Sequence, residues 1–214
     1  MTFNQINRQT WKRNKYFENY MASQTSFSMT VDIDITDLYE FLKEHHYKLY
    51  PALIFMTTKV VNNHIEFRTT FNSDNKLGYW SKMEPSYTIF DSASKEFYVR
   101  WLDECDSFKE FHKCYLEKQK IPYEKNSFSE EDMPENCFAI SMIPWQSFTG
   151  FNLNINNNTN YLLPITTFGK YYMREDTRWL PVSIQVHHAV CDGYHASLFI
   201  EELQQLANNP QHLK

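Results

Sequence analysis

The stretch Leu180-Pro181-Val182-Ser183-Ile184-Gln185-Val186-His187-His188-Ala189-Val190-Cys191-Asp192-Gly193-Tyr194-His195 carries the pattern that decides the reading of this chain. Val182, Ile184, Val186 and His188 share one parity, and Ser183, Gln185 and His187 share the other. A period of two belongs to a strand with one buried face. Beyond it, the spacing of Phe199, Leu203 and Leu206 predicts a helix over 194–208, with Pro210 past its end. His187-His188-x-x-x-Asp192-Gly193 therefore sits where a strand runs into a helix. An imidazole at the end of a buried strand face has an apolar wall on one side and a cleft on the other, the setting of a general base. Asp192 and Gly193 supply a tight turn, and Asp192 also suits the N-cap of the last helix.

On the residues alone, three other readings of the motif stay open. His188 could be a hydrogen-bonded core histidine beside a capping aspartate. His187, His188, Asp192 and His195 could ligate a metal, although neighbouring residues on a strand face opposite ways and cannot easily share one ion. Cys191 could be a nucleophile, although an isolated cysteine is more often a small buried filler.

The rest of the chain mixes strand and helix signals. Phe27, Met29, Val31, Ile33 and Ile35 alternate with polar residues, as in a half-buried strand. Thr36 suits the N-cap of a helix carrying Leu38, Phe41 and Leu42, and a second helix is expected from Pro51 to about Asn63. Short strands are expected at 68–72, 77–80, 87–90 and 97–101. Ser107 then caps a helix with Phe108, Phe111 and Tyr115 on one face. Further strands read at 137–143, 151–155, 162–170 and 179–187. With no internal repeat and no Pro/Ser linker, 1–214 reads as a single domain. Its class is α+β, a mixed α/β sandwich.

Composition narrows the function. The chain has 214 residues, enough to bury a sizeable core, and a net charge of −5, which argues against nucleic acid as a partner. Only four glycines occur, so neither G-x-G-x-x-G nor G-x-x-x-x-G-K can be written. Four cysteines without a C-x-x-C pairing do not make a disulfide framework. The N-terminus has no apolar signal region, and no run approaches the ~18 apolar residues of a membrane span. We expect a cytoplasmic protein with no membrane partner.

The motif resembles the signature of chloramphenicol acetyltransferases. The likeness extends through Trp11-x-Arg13 with Phe17-Glu18, then Tyr50-Pro51-Ala52, Glu66-Phe67-Arg68, Tyr87-Thr88-Ile89-Phe90, Pro144-Trp145, Phe151-Asn152-Leu153-Asn154 and Gly169-Lys170-Tyr171. H-H-x-x-x-D-G alone is shared with dihydrolipoyl acyltransferases and peptide-synthetase condensation domains. The ordered set makes the resemblance specific, and it covers essentially the whole chain.

The resemblance implies a CoA-dependent acyltransferase fold and transfer of acetyl from acetyl-CoA to the primary hydroxyl of chloramphenicol, with no metal. It makes His188 the base and Ser141 the oxyanion donor, with Thr167 holding a water that assists. Asp192 would pair with Arg13 to organise the loop; four residues along a turn, it is not read as the outer member of a Ser-His-Asp relay. The drug wall would be Tyr20, Phe27, Phe97, Phe128, Phe151, Leu153 and Ile165, and CoA would meet Trp145, Lys170 and Tyr171. The family's trimers place the site between subunits, so a homotrimer is implied. An acyltransferase of this fold with another hydroxyl or thiol acceptor is the alternative, and a drug- or CoA-binding protein without turnover is the non-enzymatic one. A metal hydrolase comes last.

Overall fold

The computed structural model describes residues 1–122, 133–153 and 160–214. Among them the chain forms β1 (Phe3–Gln5), α1 (Asn14–Ala22), β2 (Ser26–Asp34), α2 (Thr36–Glu44) and α3 (Leu49–Asn63). A 3-10 turn, Ile65–Arg68, leads into β3 (Thr69–Phe71), β4 (Leu77–Trp80), β5 (Glu84–Phe90) and β6 (Phe97–Trp101). Next come α4 (Phe108–Lys118), β7 (Cys137–Met142), β8 (Ile165–Phe168), β9 (Tyr172–Arg174), β10 (Thr177–His187) and α5 (Gly193–Asn208). No helix among the described residues is long and apolar enough to cross a membrane.

The large sheet has strand order β2-β10-β8-β7-β5-β6, with β9 also on β10. Strand β7 runs parallel to β5 and β8, while the other pairs are antiparallel. The sheet is therefore mixed, and the α+β expectation holds. A smaller sheet, β1-β4-β3, closes the N-terminal side. Its β1 lies so near Gly78 that an added Cβ would meet the Asn4 carbonyl oxygen at 2.5 Å. Only glycine permits that approach.

Parity decides the two faces of the large sheet. Val182, Ile184 and Val186 of β10 are buried together with Ile33, Tyr87, Ile140 and Phe168. Helix α3 contributes Leu53, Ile54, Phe55 and Met56 in succession, all buried, because it lies between α4 and α5 and against β5. A helix apolar all round is central. The opposite face carries hydroxyls: Ser141 pairs with Thr167, Thr167 with Ser183, and Ser183 with Thr30, one row across four strands.

Several boundaries differ from the sequence reading, each for a local reason. Thr36 is the first residue of α2 rather than its cap, and Asp34 Oδ1 accepts both the Thr36 N–H (2.8 Å) and its hydroxyl (2.6 Å). Helix α3 starts at Leu49, which leaves Pro51 in the first turn, where no intrahelical N–H is needed. Ser107 caps α4 as expected, accepting from Glu110 N–H at 3.2 Å. The strand expected at 151–155 is absent over 151–153, and 154–155 lie outside the described residues. Side chains take its backbone donors: Phe151 N–H reaches Thr30 Oγ1 (3.4 Å) and Leu153 N–H reaches Gln185 Oε1 (2.9 Å). Helix α1 went unread because it has no side-chain cap and buries only Phe17.

Candidate active site

Strand β10 ends at His187, whose carbonyl accepts the N–H groups of Val190 (3.1 Å) and Cys191 (3.0 Å). That turn delivers the chain to α5. Within it, His188 N–H donates to the Thr25 carbonyl at 2.8 Å, tying the motif to the entry of β2. The His188 ring stacks on Tyr20, with centroids 3.9 Å apart and planes 6° from parallel, and meets the edge of Phe27 at 5.2 Å. Gly193 has open space around it and no positive φ, so the turn does not depend on glycine.

Two acceptors define the imidazole. His188 Nδ1 lies 3.0 Å from the Cys191 carbonyl oxygen and 3.3 Å from Asp192 Oδ1. Neither atom can donate, so the neutral ring carries its proton on Nδ1. Nε2 is then a bare lone pair with no partner among the described residues, and it can accept a proton.

Arg13 holds the loop. Its Nε donates to the Ala189 carbonyl (2.8 Å) and Nη2 to the His188 carbonyl (2.9 Å). Nη1 and Nη2 also grip Asp192 Oδ2 (2.6 Å) and Oδ1 (2.7 Å) as a bidentate fork. The guanidinium holds the Asp192 carboxyl below the usual carboxylate range, and the same bonds raise the Arg13 pKa. The ion pair implied by the resemblance is thus formed. Asp192 Oδ1 also lies 3.3 Å from His188 Nδ1, although the Cys191 carbonyl is nearer at 3.0 Å.

Cys191 is buried, its Sγ–H facing the Glu66 carbonyl at 3.7 Å. Burial pushes the thiol pKa up, so the thiolate a nucleophile requires is disfavoured. His187 accepts the Ala189 N–H on Nδ1 (3.1 Å), and His195 accepts the Asp192 N–H on Nδ1 (2.9 Å). Burial lowers the His187 pKa. Among the described residues no three His, Cys, Asp or Glu side chains form a metal-ligating group.

Ser141 belongs to a second centre. Its hydroxyl contacts Thr167 Oγ1 at 3.0 Å, so Thr167 bonds it directly. Ser141 lines an open groove of ≈ 960 Å³ with Phe97, Phe151, Leu153 and Ile165. Tyr20 and Phe27 lie instead against His188, and Phe128 lies outside the described residues. The expected drug wall is therefore divided between two places in one chain. Register gives the separation: Ser141 aligns with Ser183 two strands away, and His188 lies past the end of β10. At about 3.3 Å per residue and 4.8 Å per strand, the two are roughly 19 Å apart. A single chain does not join them.

Trp145 stands at the groove rim, 57% exposed, its ring edge-on to Phe90 at 4.5 Å. Lys170 N–H donates to the Gln146 carbonyl (3.0 Å), bringing Lys170 beside Trp145 in the chain's path. Tyr171 pairs its hydroxyl with Tyr39 at 3.4 Å. Sequence reading missed Thr30, Ser183 and Gln185, whose side chains bond the backbone of Phe151 and Leu153 at the groove, although the polar parity of β10 marks the last two. It also gave no role to Glu66, whose carboxylate faces His195.

The profile of the chloramphenicol acetyltransferase family matches residues 1–204. The chain belongs to this family. A chloramphenicol acetyltransferase from Staphylococcus aureus is 51% identical over 211 residues, covering 98% of each chain. One from Clostridium butyricum is 48% identical over 209 residues, covering 97% of this chain and 95% of the relative. A solved chloramphenicol acetyltransferase structure shares the fold across 100% of both chains, with a TM-score of 0.87 at 19% identity. The cubic core of the pyruvate dehydrogenase multienzyme complex shares it more distantly, with a TM-score of 0.68 at 17% identity over 93% of this chain and 88% of that one.

Proposed function

We infer that the protein transfers the acetyl group of acetyl-CoA to the primary hydroxyl of chloramphenicol, inactivating the drug. Family membership and near-full-length identity to named chloramphenicol acetyltransferases support the reaction. The observation that carries the chemistry is the bare Nε2 of His188, left free because Nδ1 faces two acceptors. Nε2 takes the proton of the drug hydroxyl as its oxygen attacks the thioester carbon. Ser141 Oγ–H donates to the oxyanion so formed. The C–S bond then breaks, and His188 returns the proton to the CoA thiolate, so no acyl-enzyme forms. General-base help of this kind is worth about 10²–10⁴-fold.

Because Ser141 and His188 are far apart in one chain, the working site takes His188 from one copy and the Ser141 groove from the next, in a homotrimer. Trp145, Lys170 and Tyr171 supply aromatic faces and one cation for CoA. The reaction belongs in the cytoplasm, which supplies acetyl-CoA. Two measurements test this reading. Purified protein with acetyl-CoA should release free thiol only when chloramphenicol is added; no drug-dependent release would sink the reaction. Co-expressing His188→Ala with Ser141→Ala should restore part of the activity that each alone lacks. No restoration in verified mixed trimers would place both residues in one subunit's site.

A further inference from the structure

One peptide group lies between two imidazoles. The Cys191 carbonyl accepts from His188 Nδ1 at 3.0 Å, and the N–H of the same peptide, Asp192 N, donates to His195 Nδ1 at 2.9 Å. On the far side of that second ring, His195 Nε2 faces Glu66 Oε1 at 3.6 Å. Because His195 Nδ1 accepts, its proton is on Nε2, the edge turned toward the carboxylate. The order is therefore Glu66 carboxylate, His195 imidazole, Cys191–Asp192 peptide, His188 imidazole. Glu66 grips the same loop a second time, through its carbonyl and Cys191 Sγ at 3.7 Å.

We propose that Glu66 and His195 are positioning residues for His188, acting through the Cys191–Asp192 peptide; this rests on the acetyl-transfer reading above. A peptide is polarisable along its N–H and C=O, and bonds in series strengthen one another in a low-dielectric setting. Negative charge at Glu66 favours the His195 tautomer with Nδ1 bare. That lone pair holds the peptide N–H and orients the carbonyl at its other end. The oriented carbonyl is the nearer of the two acceptors at His188 Nδ1, at 3.0 Å against 3.3 Å for Asp192 Oδ1, and it helps keep the proton there and aim Nε2 outward. Arg13 grips the carboxylate of Asp192 and two neighbouring carbonyls, but no described bond from Arg13 reaches this peptide group. The peptide plane is set from the His195 side.

The arrangement also resembles an ordinary helix cap, since Asp192 and His195 form a capping box at the start of α5. A cap alone predicts loss of stability without a selective loss of turnover. The positioning role predicts the reverse for a mild substitution. Glu66→Gln keeps the size of the side chain and removes its charge. It should lower kcat about tenfold, the scale of orienting partners one step removed from the reacting group, with KM for both substrates within about twofold. His195→Gln offers a carbonyl acceptor to Asp192 N–H and should retain more kcat than His195→Leu.

The deciding experiment is a double-mutant cycle in the thiol-release assay, with melting temperature recorded for every variant. Glu66→Gln should cost about tenfold in the wild-type background and nothing further beside His195→Leu. Nitrogen-15 NMR of the imidazoles should show Nδ1 protonated at His188 in the wild type and a tautomer mixture in His195→Leu. Equal cost of Glu66→Gln in both backgrounds, or loss of kcat only in step with melting temperature, overturns the proposal. An unchanged His188 tautomer in His195→Leu overturns it as well. An inactive wild type in the same assay would instead refute the acetyl-transfer reading.

Discussion

Replacing Arg13 by Ala removes four hydrogen bonds at once: to the carbonyls of Ala189 and His188 and, as a fork, to both oxygens of Asp192. The side chain of Arg13 is 17% exposed and that of Asp192 is 41% exposed. Each charge-assisted bond to a carbonyl is worth about 1.5 kcal/mol. The ion pair, screened by water on its Asp192 side, adds no more than about 1 kcal/mol. The expected loss is thus about 4 kcal/mol. Arg13→Lys keeps the charge without the fork and should lose about half as much. Urea unfolding at pH 7, read by tryptophan fluorescence, checks both values.

The pH dependence carries the sign. Asp192 is more acidic when folded than when unfolded. The stability it confers is therefore complete above the unfolded carboxylate range and is lost as pH falls from about 4 through the depressed folded value. Wild-type protein should lose stability over that acidic window, and Arg13→Ala should lose less over it. A cost below about 1 kcal/mol for Arg13→Ala would refute the reasoning. So would a cost that vanishes in 0.5 M salt, roughly, since carbonyl bonds are not screened as surface charges are.

Three other outcomes follow from the same geometry. If Ser141 is the oxyanion donor as proposed, Ser141→Ala should lower kcat about 10²-fold with little change in KM; steady-state kinetics decide. Tyr20→Phe keeps the face stacked on His188 and should turn over near the wild-type rate, whereas Tyr20→Ala should lose at least about tenfold in kcat. Glu84 is buried, and desolvation together with the nearby Asp103 charge raises its pKa to about 7. A raised carboxyl confers its stability at low pH and forfeits it as pH rises through 7. Glu84→Gln should therefore be more stable than wild type at pH 8 by about 3 kcal/mol and equal to it near pH 4, measured by urea titration.

Local patterns were legible where the information is local. The alternation of β2 and β10 identified both strands, because a period of two needs only neighbouring residues to be read. Ser107 revealed the start of α4 for the same reason. Helix α1 was not legible: without a cap and with one buried residue, its stability comes from what packs against it. The segment 151–153 looked like a strand, yet Thr30 and Gln185 side chains claim its backbone donors. Those partners are distant in sequence, so no reading of the segment alone could find them.

The site divides along the same line. From the residues themselves came the His188 motif and its place between strand and helix; the resemblance added Ser141, Asp192 and Arg13. Register and burial, which exist only once the sheet is assembled, decided the rest. They placed Tyr20 and Phe27 on His188 rather than in the groove, and Ser141 roughly 19 Å from His188, by about two strand spacings and the remaining run of β10. They also set one peptide between two imidazoles, with a carboxylate behind the second. Side-chain type can be read from a sequence, but which nitrogen carries a proton depends on the acceptors that tertiary contacts bring to it.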